Sequence, residues 1–325
     1  MKVALLGLPQ SGKKTLFILL TGRTIPPGRK ENECVDGVAR IRDPRVDAIA
    51  GICRPEKTKY AEVTYTLCPD AKESDEEREW LDHARRCDLL CFVVRAFTSS
   101  IVYHASGSVD AGRDRAMLST ELFLADLDML EKRLERIGKE KRSGQTPAQV
   151  MEEKTLLKCR DAVAAGKSPT GLNLDNHEKG SIRSLGLLTL LPVLWVYNVD
   201  EKDVRDGGDE DRMSVSCAIE LEIMAVDDEK ERMEFLKDMG LQHSGVDRMN
   251  AAVYHALGLM SFYTMGSDEV RAWTIHRGSA APVAAGKIHT DIERGFIRVE
   301  VIKYDDLVAL GNEGAVRKNG KLETK

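Results

Sequence analysis

Nine residues near the start of the chain have the types and spacing of a phosphate-binding loop. They read Gly7-Leu8-Pro9-Gln10-Ser11-Gly12-Lys13-Lys14-Thr15 and match the pattern G-x-x-x-x-G-K-[ST] at every position except the last. In this pattern the glycines let backbone N–H groups wrap a polyphosphate at a helix N-terminus, and the lysine reaches the outer phosphates. The sequence therefore predicts a nucleotide site formed by Gly7, Pro9, Gln10, Ser11, Gly12, Lys13, Lys14 and Thr15.

The last position of the pattern normally gives a hydroxyl ligand to Mg²⁺, and here it is Lys14. Thr15 cannot take over this role, because one residue along a helix rotates the side chain by about 100°. Two interpretations of Lys14 stay open: its ammonium group lies where the cation would lie, or it points to solvent. We expect no protein ligand for a metal here. A third interpretation is that the loop is a strand–helix turn without any ligand.

Short apolar strands and helices alternate on both sides of this loop. The apolar pattern predicts strands over 3–6, 35–41, 63–68, 89–94, 193–197 and 213–217, and helices over 14–20 and 75–86. Such alternation is typical of an α/β fold with a largely parallel sheet and helices on both faces. Ligands of such sheets bind at the carboxyl ends of the strands, where Gly7 and Asn198 both fall.

The middle of the chain has a helical pattern instead. Apolar residues recur at spacings of four and three, in a seam formed by Phe123, Leu127, Leu130, Leu134 and Ile137. A second helix is predicted over about 148–165, so the two form an antiparallel hairpin. We expect the hairpin to protrude without a core of its own. Its most basic stretch, 132–142, is either a solvated helix face or a contact surface for RNA.

Composition sets outer limits on function. The 325 residues are enough for two or three domains, and 42% apolar with 31% charged residues is typical of a globular protein. A net charge of −5 gives no general attraction to nucleic acid, so an RNA contact would need a local patch. Seven cysteines without a framework spacing predict reduced thiols. Because no signal segment precedes the first strand and Pro192 interrupts the longest apolar stretch, we expect a cytoplasmic protein.

The C-terminal residues predict a small α+β module. A strand is expected over 270–275, a short helix over 280–288 and an alternating second strand over 296–302. The chain then ends in polar residues rich in glycine and lysine, and we predict no final strand there.

These segments together resemble the YchF/Obg-like family of P-loop NTPases. The resemblance covers nearly the whole chain, and its clearest parts are Arg271-Ala272-Trp273-Thr274-Ile275 and Gly286-Lys287-Ile288-His289-Thr290-Asp291. These two match the family's C-terminal TGS module, a ubiquitin-like fold. The resemblance implies a P-loop NTPase domain in two parts, 1–112 and 181–264, a helical hairpin insertion at 113–180, and an incomplete TGS-like module at 265–325.

The same resemblance assigns a base-binding region and a preference for ATP over GTP. Guanine is generally recognised by N-K-x-D, whereas this chain has Asn198-Val199-Asp200-Glu201, similar to the family's N-x-x-E form. Asn198 and Glu201 are the implied base-binding residues. The segment Ser216-Cys217-Ala218 resembles the loop that closes over the base.

Hydrolytic elements are mostly missing from the sequence. Lys14 replaces the metal-ligating residue, and the D-x-x-G motif appears as Leu67-Cys68-Pro69-Asp70, in which Asp70 does not restore the pattern. Charge on a transferred phosphoryl group would therefore have little to stabilise it. The resemblance implies that His104 orients water and that Arg95 lies near it as a second catalytic residue. The alternative is that His104 is a surface loop residue.

Three hypotheses follow for function. The first is a monomeric regulatory protein that binds ATP, hydrolyses it weakly or not at all, and acts on ribosomes or RNA rather than on DNA or membranes. The second is a slow ATPase that uses His104. The third is a scaffold that no longer binds nucleotide.

Overall fold

The computed structural model describes residues 1–72, 78–141, 144–205 and 212–325, with only the backbone described at Glu229. In chain order its strands are β1 (Lys2–Leu6), β2 (Val35–Ile41), β3 (Lys57–Lys59), β4 (Ala61–Leu67), β5 (Leu89–Arg95), β6 (Val193–Asn198), β7 (Arg212–Val215), β8 (Leu259–Thr264), β9 (Glu269–His276), β10 (Glu300–Ile302) and β11 (Leu322–Thr324). The helices are α1 (Lys13–Thr21), α2 (Pro44–Cys53), α3 (Glu79–Asp82), α4 (Ala111–Glu140), α5 (Pro147–Ala164), α6 (Asn176–Ile182), α7 (Cys217–Ala225), α8 (Glu229–Asp238), α9 (Gly245–Ala256), α10 (Ala281–Ile288), α11 (Thr290–Arg294), α12 (Tyr304–Leu310) and α13 (Glu313–Lys318). None of the helices in these ranges is long and apolar enough to span a bilayer.

A six-stranded sheet positions the phosphate loop. Its strand order is β2-β4-β1-β5-β6-β7, and the pairings from β4 to β7 are parallel. All seven residues of β5 are buried, as expected for a central strand covered on both faces. Phe92 of β5 stacks on Trp195 of β6 with ring centroids 4.7 Å apart. The predicted α/β class is confirmed, and β1 and β6 bring their carboxyl ends to the same edge of the sheet.

The chain divides into two units, and this sheet belongs mainly to the first, Met1–Val38 with Thr64–Met249. The same unit contains the predicted helical hairpin, formed by α4 and α5. Its helix ends carry ordinary caps: Asp110 accepts from the Arg113 N–H, and Thr146 forms a capping box with Gln149. Arg133 of α4 also donates a fork of two hydrogen bonds, 2.7 and 2.9 Å, to the Glu152 carboxylate of α5.

The expectation that the hairpin has no core of its own was wrong. Leu130 and Ile137 of α4 are fully buried against Leu156 and Cys159 of α5, as the seam predicts. The cluster is completed by apolar side chains from the segment that follows the hairpin, namely Leu174, Ile182 and Leu187. The segment after the hairpin therefore forms a third layer that covers the two helices and completes a small core. The apolar periodicity of the two helices alone does not indicate this third layer.

The second unit comprises Ala39–Val63 and Asn250–Lys325. It contains a three-stranded sheet of order β3-β9-β8, with β3 parallel and β8 antiparallel to β9. One hydrophobic cluster joins α2 to the C-terminal elements and includes Val46, Ile49, Val270, Leu307 and Val316.

Two predictions about the C-terminal strands were wrong. The expected strand over 296–302 is limited to β10, and the chain does have a last strand, β11, which pairs antiparallel with β10. Val299 and Lys325 extend this pairing through reciprocal backbone hydrogen bonds of 2.8 and 2.9 Å. Such a short strand is defined by its backbone partner rather than by apolar alternation, so its polar sequence gave no signal.

Two further predictions extend beyond the described residues. Of the helix expected over 75–86, residues 75–77 lie outside the described residues, and the rest contains α3 followed by a 3₁₀ turn at His83–Arg86. The basic stretch 132–142 ends at Arg142, which also lies outside the described residues.

Candidate functional site

The phosphate loop has a backbone that only glycine accommodates at two positions. Gly7 and Gly12 have φ angles of 151° and 92°. A Cβ atom on Gly7 would lie 2.4 Å from the Val93 carbonyl oxygen, and one on Gly12 would lie 2.1 Å from the Asn198 Nδ2 atom. Gly12 is the N-cap of α1, which has neither a side-chain cap nor an acidic residue in its first turn. The helix therefore presents uncapped backbone N–H groups at the loop, as an anion site requires.

Ser11 gives a second indication that the loop fits a polar ligand. Its side chain is buried, and within the described ranges its Oγ atom has no hydrogen-bond partner. A buried hydroxyl without a partner is costly, and a phosphate oxygen would satisfy it. Of the other predicted loop residues, Pro9 and Thr15 are half-buried, whereas Gln10 and Lys14 are exposed.

Lys13 is fully engaged by the protein in this structure. Its ammonium group lies 2.9 Å from the Cys68 carbonyl oxygen, 2.7 Å from that of Pro69 and 2.9 Å from Oδ1 of Asp70. The side chain is only 2% exposed, and this burial lowers the pKa of Lys13, while the Asp70 charge opposes the shift. The Gly7 carbonyl oxygen is a fourth and more distant contact at 3.5 Å, so protein acceptors are present for all three N–H donors of the ammonium.

Asp70 is the residue that sequence reasoning missed. It was assigned no role, because it does not restore the D-x-x-G motif. The strand order contains a signal, since β4 and β1 are parallel neighbours and their following loops meet at one edge. The Ala71 N–H also donates to the Gly7 carbonyl oxygen at 3.0 Å, which holds the two loops together.

Asn198 connects the phosphate loop to the loop after β7. Its Nδ2 donates to the Ser11 carbonyl oxygen at 3.1 Å, and its Oδ1 accepts from the Cys217 N–H at 3.0 Å. The side chain is 5% exposed. Both polar atoms of the amide therefore contact protein, and Asn198 positions two loops of the candidate nucleotide site.

The remaining residues implied for base binding surround this amide. Ser216 and Cys217 are buried beside it, whereas Ala218 and Glu201 are exposed. Asp200, the neighbour of Glu201, accepts hydrogen bonds from the Thr98 N–H and from the Thr98 hydroxyl, the latter at 2.8 Å.

Arg95 and His104 shape the loop that follows β5. Buried Arg95 donates to the carbonyl oxygens of Val102 and Tyr103, both at 3.1 Å. His104 is 7% exposed, and its Nε2 lies 2.9 Å from Oδ2 of buried Asp114. The interpretation of His104 as a surface loop residue was therefore wrong.

The two ring nitrogens of His104 have different partners. Its Nδ1 accepts from the Ser106 N–H at 3.2 Å, so Nε2 carries the proton and donates to Asp114. One nitrogen is therefore engaged by the loop itself and the other by Asp114 of α4. The catalytic roles of His104 and Arg95 stay predictions. Among the side chains that the structure describes, no group of three His, Cys, Asp or Glu residues is arranged to hold a metal ion.

Comparison with known proteins gives one family throughout. The family model for the C-terminal part of YchF GTPases, described as "Protein of unknown function (DUF933)", matches residues 259–325. The "Ribosome-binding ATPase YchF" of Bacillus subtilis is 33% identical over 341 residues, which cover 98% of this chain and 93% of that relative. The protein of the same description from Haemophilus influenzae is 34% identical over 340 residues, again covering 98% and 93%.

The fold is similar to that of a solved structure with the same family description. The solved structure described as the Schizosaccharomyces pombe YchF GTPase matches with a TM-score of 0.83 and 29% sequence identity. The match covers 100% of this chain and 93% of that one. Similarity in sequence and in structure therefore extends over essentially all of the chain.

Proposed function

Since the chain belongs to the YchF family of ribosome-binding ATPases and GTPases, we propose that it is a regulatory protein that binds ATP and acts on ribosomes. ATP would lie in the phosphate loop, with its outer phosphates near Lys13 and the first turn of α1. Hydrolysis is weak or absent in this proposal, and the bound state rather than turnover carries the regulation.

The single observation that carries the proposal is the geometry of the phosphate loop. Gly7 and Gly12 adopt a backbone in which a side chain would clash, the helix N-terminus has no side-chain cap, and the Ser11 hydroxyl is buried without a described partner. These features suit a polyphosphate. They argue against the third hypothesis, a scaffold without nucleotide binding.

A preference for ATP over GTP is part of the proposal. The lysine of N-K-x-D is replaced by Val199, which packs against the hydrophobic core, and Asp200 is bonded to Thr98. The Glu201 carboxylate is exposed and belongs to a 3₁₀ turn at Glu201–Asp203. Strict selection of guanine would require a carboxylate held against the edge of the base. Of the two described carboxylates in the residues that correspond to N-K-x-D, Asp200 is held by Thr98 and Glu201 is exposed.

Weak hydrolysis is inferred from three positions. Lys14 stands where a hydroxyl would ligate Mg²⁺, Asp70 contacts Lys13, and both ring nitrogens of His104 are bonded to protein. When bound, Mg²⁺ would neutralise part of the negative charge of the phosphates. In this chain the exposed ammonium group of Lys14 would contribute to that neutralisation. The second candidate function, a slow ATPase, needs His104 to contact water; unchanged turnover in His104→Ala would exclude it.

Partners are proposed from the relatives, whose descriptions name ribosome binding. The basic surface of α4 is the candidate contact for ribosomal RNA, and a monomer in the cytoplasm fits such a role. An interaction with ribosomes that does not change with nucleotide would remove the regulatory part of the proposal.

Calorimetric titration tests the proposal directly. ATP and GTP are each titrated with and without Mg²⁺ into the full chain and into Lys13→Ala. We expect ATP to bind more tightly than GTP, with little dependence on Mg²⁺, and Lys13→Ala to abolish binding. Absence of binding by either nucleotide in the folded wild-type protein would refute the proposal.

A further inference from the structure

We propose that the Asp70 carboxylate competes with the outer phosphates of a nucleotide for Lys13 and thereby lowers nucleotide affinity. This inference rests on the proposed nucleotide site and names a residue outside the phosphate-loop pattern that sets its affinity. Asp70 acts as an internal substitute for a phosphate group.

The argument begins with the donors of Lys13. The ammonium has three N–H groups, and its three nearest acceptors are Cys68 O, Pro69 O and Asp70 Oδ1, at 2.9, 2.7 and 2.9 Å; Gly7 O is farther away, at 3.5 Å. A phosphate oxygen that approaches this ammonium must replace one of the three. Two of them are backbone carbonyls held by the strand end, so the side chain of Asp70 is the partner that can leave.

The exposure of the two side chains supports this exchange. Lys13 is 2% exposed and therefore fixed in the protein, whereas the Asp70 side chain is 28% exposed and can turn towards water. The exchange of a carboxylate for a phosphate keeps a negative group beside the buried ammonium, as its desolvation requires. A nucleotide therefore replaces the Asp70 contact without leaving Lys13 unpaired.

Charge makes the two ligands mutually exclusive. If Asp70 stayed in place, its carboxylate would lie within a few ångströms of the incoming phosphates, where like charges repel strongly. Since the lysine of this pattern reaches the outer phosphates, the competition should affect ATP most and AMP least.

The test compares nucleotide binding by Asp70→Asn and by wild type. Calorimetry with ATP, ADP and AMP should show that Asp70→Asn binds ATP about tenfold more tightly, a change of about 1.4 kcal/mol. AMP affinity should stay within about twofold, because AMP has no outer phosphate to compete. Asp70→Ser repeats the test if the amide variant does not fold.

Glu31→Gln is the matched control. Glu31 is near enough to Asp70 and Lys14 for their charges to interact with it, is 86% exposed, and pairs with Lys72 at 2.9 Å rather than with Lys13. Its substitution removes the same charge without freeing Lys13, so ATP affinity should change by less than about twofold, as expected for a screened surface charge.

Each outcome separates this inference from the proposed function. If wild type binds ATP and both Asp70 variants bind it with the same affinity as wild type, the inference fails but the proposed nucleotide site stands. An equal gain in Glu31→Gln would also overturn the inference, since general charge would then explain it. If neither wild type nor any variant binds ATP, the proposed function fails and the inference fails with it.

Discussion

Replacement of Asn198 by alanine should destabilise the first unit by about 3 kcal/mol. The wild-type amide makes two buried hydrogen bonds, 3.1 Å to the Ser11 carbonyl oxygen and 3.0 Å from the Cys217 N–H. Alanine leaves a buried acceptor and a buried donor unpaired, at a cost of about 1–3 kcal/mol each. A value near 3 kcal/mol corresponds to roughly two orders of magnitude in the unfolding equilibrium constant.

Urea denaturation in a Trp273→Phe background measures this change, because Trp80 and Trp195 then report on the first unit. The control is Thr120→Ala, which removes an exposed 2.9 Å hydrogen bond to a helix carbonyl in the same unit. That control should change the free energy of unfolding by no more than about 0.5 kcal/mol. Equal effects of Asn198→Ala and Thr120→Ala would refute the reasoning.

Asn198→Asp sharpens the same prediction through pH. The introduced carboxyl can still accept from the Cys217 N–H, but its ionised form faces the Ser11 carbonyl oxygen, so its folded-state pKa should be raised. A raised folded-state pKa gives stability at low pH that is lost as pH rises through that value. We therefore expect the difference in free energy of unfolding between this variant and wild type to become smaller as pH falls. A difference that is constant with pH would contradict the assigned orientation of the amide.

Two further predictions concern buried carboxylates in the first unit. Asp126 is fully buried and accepts from Arg85 at 2.7 Å and from the Thr189 N–H at 2.7 Å, so Asp126→Ala should lower the free energy of unfolding by about 3–5 kcal/mol, measured by urea denaturation; a loss below about 1 kcal/mol would contradict this. Burial raises the pKa of Glu220 above its usual 4.5, although the Gly245 N–H partly opposes the shift, so wild type should lose stability relative to Glu220→Gln as pH rises from 4.5. Parallel pH–stability curves of the two proteins would show that this pKa is not raised.

Much of the fold could be predicted because local sequence determines it. The runs 3–6, 35–41 and 89–94 are continuous or alternating apolar segments bounded by turns, and the observed strands agree within about two residues. The phosphate-loop pattern could be recognised for a similar reason, since its glycine positions are required by backbone geometry within nine residues; its ligand stays a prediction. The division into 1–112, 113–180, 181–264 and 265–325 stays a prediction.

The site contacts that were missed depend on long-range placement. Asp70 meets Lys13 only because β4 and β1 are neighbours in the sheet. Asn198 was expected to face a base, yet it contacts Ser11 and Cys217, residues 187 and 19 positions away in the chain. Such pairings depend on strand order, which a single sequence does not specify.

The discontinuity of the second unit has a consequence for synthesis of the chain. Its α2 and β3 belong to residues 39–63, yet β3 pairs with β9 in the register Lys57↔Glu269. A ribosome therefore completes more than two hundred further residues before this strand has its partner. During that time the side chains of Val46 and Ile49 lack the C-terminal residues against which they pack. Contacts of this separation form slowly and expose apolar surface meanwhile. We therefore expect this unit to be the last part of the chain to fold, and early termination of translation to leave an apolar helix exposed to chaperones and proteases.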